Sequence, residues 1–325
     1  MRWLLSSWRE LKKLGILGIN RRNAAYILDF NPRSLYPLVD DKLRMRHLCL
    51  EIGTPTPEIY ATIDSHSSLR RLDEILKDRE EFVVKPNRGS AGRGVLVVIE
   101  RVGKDFRRHN GEILSRDELR QHLSDVLSGM YSLGGLPDRA FLQQRVRLHP
   151  AFEPVAFQGI PDIRVVLYRN EPAMAMLRLP TRESNGRANL HQGGLGVGID
   201  LASGLTHHAV QRNRLILCHP DTGVPVIGLR TPYWRQVLDM SRRVAEAVGL
   251  GYLGVDIVID VVQGPMLLEA NARPGLAIQI ANARGLIPRL AEIDEEKEHE
   301  DKIRNPKFES RKRIAGEQEP LRKSA

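Results

Sequence analysis

Lys85 stands at the end of an apolar strand pattern, Phe82-Val83-Val84, and a glycine-rich loop follows it directly. Gly89, Gly92 and Gly94 lie in that loop, and Val95-Leu96-Val97-Val98 then resumes the extended pattern. Glycines let a backbone turn tightly and approach a ligand, so its N–H groups can cradle phosphate oxygens. A lysine beside them adds a point charge for the same phosphates. The order strand, loop, strand separates this segment from the P-loop and the dinucleotide fingerprint, which both run on into a helix. A glycine-rich surface hairpin is the plain alternative.

A second group of residues lies far along the chain. Asp256 interrupts the apolar run 253–259, Glu269 follows Met266-Leu267-Leu268, and Asn271 comes two residues later. Strand periodicity puts Glu269 and Asn271 on one face, and a hairpin brings Asp256 beside them. An unpaired buried acid is costly, so Asp256 is expected to have a partner or a ligand. Two carboxylates and an amide oxygen make a hard-oxygen set suited to Mg²⁺, which shares nucleotide phosphates. For Glu269 and Asn271 the alternative is a strand-end turn before Pro274.

The elements that must hold these groups alternate along the chain. Residues 4–14 read as an amphipathic helix ended by Gly15 and Gly18, packed on the body or laid on a membrane surface, with packing the favoured reading. Asp40 is the expected N-cap of a helix closed by Gly53 and Pro55. Strands are expected at 56–63, 82–86, 95–98, 140–146, 163–169, 173–179, 252–260 and 266–268. Helices are expected at 67–77, from the capping box Ser115-Arg116-Asp117-Glu118 to about 128, from Thr231-Pro232 to 248, and at 277–283. A polar, glycine-rich loop fills 180–198. From 291 acids and bases alternate with few apolar residues, so residues 291–325 are expected to form a charged, disordered tail.

The composition bounds the rest. With 42% hydrophobic and 27% charged residues, the chain has the balance of a soluble globular protein. No apolar run nears the ~20 residues of a membrane helix, and Glu10, Lys12 and Lys13 interrupt any signal-peptide core, so a cytoplasmic location is expected. The two cysteines, Cys49 and Cys218, are too few for a disulfide framework. The net charge of +9 permits an acidic partner. The arginines are dispersed, however, and no zinc-finger, recognition-helix or base-stacking pattern is present, so nucleic acid is not the expected partner.

Taken in this order, the residues resemble the ATP-grasp superfamily, in particular the ribosomal-protein glutamate ligases and D-alanine–D-alanine ligase. The likeness is greatest to the alpha-L-glutamate ligase-like proteins, through Asn20-Arg21-Arg22-Asn23, Asn31-Pro32-Arg33 and Tyr36-Pro37-Leu38-Val39-Asp40-Asp41-Lys42. The resemblance implies an α/β (α+β) fold, with two α/β subdomains clasping ATP between antiparallel sheets. It implies an N-terminal helical extension at 1–38 and an ATP-grasp domain at 39–290, divided into 39–140 and 141–290. Lys42 and Lys85 would then face ATP phosphates, under a mobile loop of Gly89, Ser90, Ala91, Gly92 and Gly94. The hinge strand would offer Gln143, Gln144 and Val146 to adenine, although most relatives carry an acid where Gln144 stands. Asp162 would sit near the ribose, and Asn189, in the loop 189–194, would reach the phosphates. Arg164, Arg178 and Arg273 would stabilise an acyl phosphate or an oxyanion. Asp256, Glu269 and Asn271 match the ligands of Mg²⁺, with Mn²⁺ as a substitute. His191, His207 and His208 receive no catalytic role.

The expected reaction is ATP-dependent ligation of a carboxylate to an amine through an acyl phosphate, with glutamate as the suspected acid and a peptide or protein amine as acceptor. The alternative is an ATP-binding regulatory module without turnover. Relatives carry about a hundred residues before the first lysine, a domain-sized unit. Here about forty precede Lys42, so a partner protein or a large polymeric substrate is expected to complete the acceptor side.

Overall fold

The computed structural model describes residues 12–89 and 92–304. Among the described residues, thirteen strands form two antiparallel sheets. The first holds β1 (Ile59–Ile63), β2 (Phe82–Pro86), β3 (Leu96–Val102), β4 (Asp105–Arg108), β5 (Ile113–Leu114) and β6 (Ala140–Gln143), in the order β1-β6-β2-β3-β4-β5. The second holds β7 (Asp162–Tyr168), β8 (Glu171–Leu179), β9 (Leu195–Ile199), β10 (Thr206–Gln211), β11 (Arg214–Leu215), β12 (Tyr252–Asp260) and β13 (Gly264–Asn271), in the order β11-β10-β9-β8-β7-β12-β13.

Period-two alternation decides what each sheet face carries. In the first sheet, Phe82, Val84, Leu96, Val98 and Leu142 point into one core, covered by α2 (Arg116–Leu127). Their alternates Val83, Lys85, Val97 and Gln143 line the cavity between the sheets. The α2 helix starts at the expected capping box: Ser115 Oγ accepts from the Glu118 amide and Glu118 accepts from the Ser115 amide.

In the second sheet, Val165, Leu167, Ala175, Leu177, Val255 and Ile257 pack beneath α1 (Lys42–Glu51) and α3 (Trp234–Val248). The opposite face carries Arg164, Arg178 and Asp256 at one end. At the other end lie Val166, Tyr168, Met176 and Tyr252, under residues 17–27 and α4 (Ile287–Arg304). Both faces are covered, which is why these strands read as nearly continuous apolar runs.

Several boundaries differ from expectation. The N-cap of α1 is Asp41 rather than Asp40; its carboxylate accepts from the Arg44 amide at 3.0 Å. The α3 helix starts at Trp234 rather than at Thr231-Pro232, because Tyr233 takes a left-handed conformation with φ 55°. Residues 67–77 form two short turns, Ser68–Arg71 and Leu72–Ile75, instead of one helix. The charged stretch expected to be disordered from 291 is helical to Arg304, since Leu290 and Ile293 are buried one turn apart against the second sheet. Residues 305–325 lie outside the described residues, as do residues 1–11, which include most of the first helix expected at 4–14. Cys49 is buried and Cys218 exposed, both as free thiols. Among the described residues, no helix is long and apolar enough to cross a membrane.

Candidate active site

Between the two sheets lies a cavity of about 720 Å³, within the size range of small-molecule sites. Its apolar walls come from Val83 and Val97 on one sheet, Val258 and Leu268 on the other, and Val146 between them. The charged end is built from six elements, with Glu269 carried on β13. Lys85 arrives on β2, Lys42 on the first turn of α1, Asp162 on β7, Arg178 on β8 and Asp256 on β12.

Register explains why the acids and arginines meet. Asp256 stands opposite Arg164 across β7 and opposite Glu269 across β13. Asp162 stands opposite Arg178. The Arg164 fork grips Asp256 with Nε at 2.7 Å and Nη2 at 2.6 Å. Arg178 bridges Asp256, with Nη2 at 2.7 Å, and Asp162, through Nε. Burial alone would raise the Asp256 carboxyl, but Arg164 and then Arg178 outweigh it and hold the group well below the carboxylate range. Burial pushes Asp162 the other way, against the pull of Arg178 and helped by the charge of Asp256. Arg164 and Arg178, expected to stabilise an acyl phosphate, therefore enter the site already ion-paired.

Lys42 Nζ donates to the Gly89 carbonyl at 2.7 Å and lies 3.9 Å from Glu269. Burial drives Lys85 down to about 8; Glu269 resists the shift, and the like charge of Lys42 adds to it. Asn271 Nδ2 lies 3.3 Å from Glu269 and 3.5 Å from Asp256, so the three expected metal ligands are adjacent. Turning the Asn271 amide about puts its Oδ1 beside the two carboxylates. The resulting oxygens form a hard donor set of the kind Mg²⁺ takes. Lys42, Lys85, Arg164 and Arg178 outnumber Asp162, Asp256 and Glu269. The cluster is therefore net positive, favouring a polyanion, and a divalent cation fits it only together with phosphates.

The other expected residues divide. Gly89, Gly92, Gln143, Val146 and Asn189 line the cavity. Asn189 also caps the turn Leu190–Gln192, accepting from the His191 amide at 3.0 Å. Gly94 lies behind the loop with φ 72°, where a Cβ would come within 2.6 Å of the Tyr131 ring. Ser90 and Ala91 lie outside the described residues. Gln144 turns away from the cavity, its Oε1 accepting from the Glu58 amide at 3.2 Å. Arg273 does not line the cavity: it is exposed and stacks over the Tyr36 ring at 5.1 Å. The reason is that β13 ends at Asn271, so Arg273 lies beyond the strand whose alternation turns Glu269 and Asn271 inward.

Asn87 is a positioning residue that sequence reasoning missed. It is fully buried, and its Oδ1 accepts from the Leu43 amide at 3.0 Å, tying the first turn of α1 to the strand that carries Lys85. An Asn-Arg-Gly turn after a strand was the available signal. Asn87→Ala is expected to cost about 1–2 kcal/mol through the lost helix-start bond. It should also weaken nucleotide affinity severalfold by releasing Lys42; thermal melting and nucleotide titration check the two effects.

No curated protein matches the chain. Among solved structures, D-alanine–D-alanine ligase from Bacillus anthracis complexed with ATP is 18% identical, with 80% of this chain and 62% of that chain covered and a TM-score of 0.43. A RimK domain ATP-grasp protein from Sphaerobacter thermophilus is 12% identical, covering 81% and 70% at 0.45. The ATP-grasp ligase PsnB, complexed with a precursor variant, Mg and ADP, is 15% identical, covering 81% and 59% at 0.43. The chain thus spans less than two thirds of the length of PsnB and of the alanine ligase. The family model described as sugar-transfer associated ATP-grasp matches residues 21–295, most of the sequence. With that match and its two antiparallel sheets around a charged cavity, the chain belongs to the sugar-transfer associated ATP-grasp family.

Proposed function

We propose that the protein is an ATP-dependent carboxylate–amine ligase. The observation that carries this reading is the meeting of Lys42, Lys85 and the Asp256–Glu269–Asn271 oxygens at one end of an apolar-walled cavity. A purine fits between the valine-lined walls, and the triphosphate extends to the two lysines. Asp256, Glu269 and Asn271 would hold Mg²⁺, which when bound neutralises charge on the phosphates.

The acid substrate attacks the γ-phosphorus through a carboxylate oxygen, ADP leaves, and an acyl phosphate forms. The amine then attacks the acyl carbon and expels phosphate, giving the amide. Lys42 and Lys85 draw charge from the phosphoryl oxygens as it develops. Arg178 stays in place because Asp162 and Asp256 hold it from two sides, so it needs no reorganisation when a negative group arrives. The loop at 89–94 would cover the phosphates and exclude water. No side-chain nucleophile is needed. In this reading the first sheet closes on the second, and the expected division at 140/141 falls within β6 of the first sheet. Glutamate as the acid, and a peptide or protein amine as acceptor with any partner protein that presents it, rest on the resemblance to glutamate ligases.

The test is ADP release across a panel of acids and amines. Glu269→Ala is expected to abolish release while melting within about 1 kcal/mol of the parent, because the Glu269 side chain is 36% exposed. Unchanged turnover in that variant contradicts the proposal. Tight ATP binding with no ADP formed across the panel would favour the regulatory module.

A further inference from the structure

Residues 19–30 form a helix whose middle, Asn23–Ile27, widens to a π-turn, a feature that often marks functional positions. Arg22, just before that turn, is only 8% exposed. Its Nη1 donates to the Pro274 carbonyl at 2.9 Å, and its Nε and Nη2 both reach Asn23 Oδ1, at 3.1 and 2.9 Å. All of these acceptors are neutral. Among the described residues no carboxylate forms an ion pair with Arg22 or with Arg273, although Asp40 lies near enough to feel the Arg273 charge. A buried guanidinium without a counter-charge is costly, and the nearby like charge of Arg273 adds to the cost.

A second observation points to the same spot. Tyr252 is fully buried and its hydroxyl has no hydrogen-bond partner. Its ring packs against Tyr26, four residues after Arg22 on the same helix. Tyr252 shares a face of β12 with Asp256, ~13 Å along the strand. Between them Pro274 packs on Gly254, and Gly254 stands opposite Asn271. Arg22, Arg273 and the orphaned hydroxyl thus lie just past the acid cluster, outside the nucleotide cavity.

We propose that Arg22 and Arg273 form a carboxylate-binding site, which anchors a second acidic group of the acid substrate apart from the carboxylate being activated. The site rests on the ligase reading for its purpose but not for its existence. Beyond those bonds Arg22 keeps one N–H on each of Nη1 and Nη2, and the exposed Arg273 guanidinium adds a whole fork, so together they match a carboxylate in charge and donors.

Calorimetric titration of the full chain with glutarate, without nucleotide, tests the site; inorganic phosphate is the second probe. Saturable glutarate binding is expected, weakened at least tenfold in Arg22→Gln and in Arg273→Gln, with ADP affinity held within twofold. Arg22→Lys keeps the charge and loses the fork. It is expected to melt like the parent and bind glutarate severalfold more weakly, a change that a purely structural role would not produce. Glutarate binding that is absent, or equal in all variants, overturns the site. Arginine-dependent binding of phosphate alone overturns the carboxylate assignment. Failure of ADP to bind the parent chain would count against the ligase reading only, since the glutarate comparison uses no nucleotide.

Discussion

Lys85→Met is expected to lower ADP formation by about 10²–10³-fold, the usual loss when one preorganised charge is removed from a developing anion. The side chain is nearly isosteric, so the β2–β6 pairing of Lys85 with Phe141 is kept. The pH dependence of nucleotide affinity separates a phosphate contact from a merely structural lysine. Burial removes water from the ammonium and pulls Lys85 down to about 8 in the free protein. A bound triphosphate favours the charged form and raises that value. Below pH 8 the free protein is already protonated, so affinity is flat. Above pH 8 it must take up a proton to bind, so affinity falls about tenfold per pH unit until the bound-state value is reached. Titrations at pH 7, 8 and 9 check this. Lys85→Met is expected to flatten the profile, and a profile unchanged by the substitution would remove Lys85 from the phosphates.

The strands that build this site were legible because alternation and burial write themselves into sequence. Lys85, after Phe82-Val83-Val84, and Asp256, within its apolar run, lie in the strands that those apolar runs predict. The glycine-rich stretch read as loop to 198 was harder. Leu195-Gly196-Val197-Gly198-Ile199 is β9, and its glycines are a consequence of close packing. A Cβ on Gly198 would sit 2.6 Å from the Ala281 carbonyl oxygen, so a strand face that normally carries side chains must be bare there. The helical tail was missed because its apolar signal is thin: Ile287, Leu290 and Ile293 recur at a helical interval among charges. Nor could the chain alone show that Asp256 is shared by two arginines. That follows from strand order, which sets β7 between β8 and β12.

This sharing makes Asp256 different in kind from Glu269, although both are expected at one metal. Glu269 faces the cavity with its side chain 36% exposed, whereas that of Asp256 is 3% exposed beneath two guanidiniums. Removing one partner of a buried ion pair strands the other charge. Asp256→Ala is therefore expected to destabilise the fold by about 3–5 kcal/mol even without ligand. At roughly 2 °C per kcal/mol for a chain of this size, melting falls by about 6–10 °C. Pairing the substitution with Arg164→Met should recover part of the loss, because the mutual term vanishes once both charges are gone. Thermal melts of the single and double variants, with Glu269→Ala as the exposed comparison, measure that term. Equal melting of the Asp256 and Glu269 variants would mean that Arg164 and Arg178 find water when Asp256 is lost, and that the acid is held for the ligand alone. A large gap means that the same carboxylate fastens β7, β8 and β12 together and fixes Arg178 at the charged end of the cavity, so the site's electrostatics are set by the fold before any nucleotide binds.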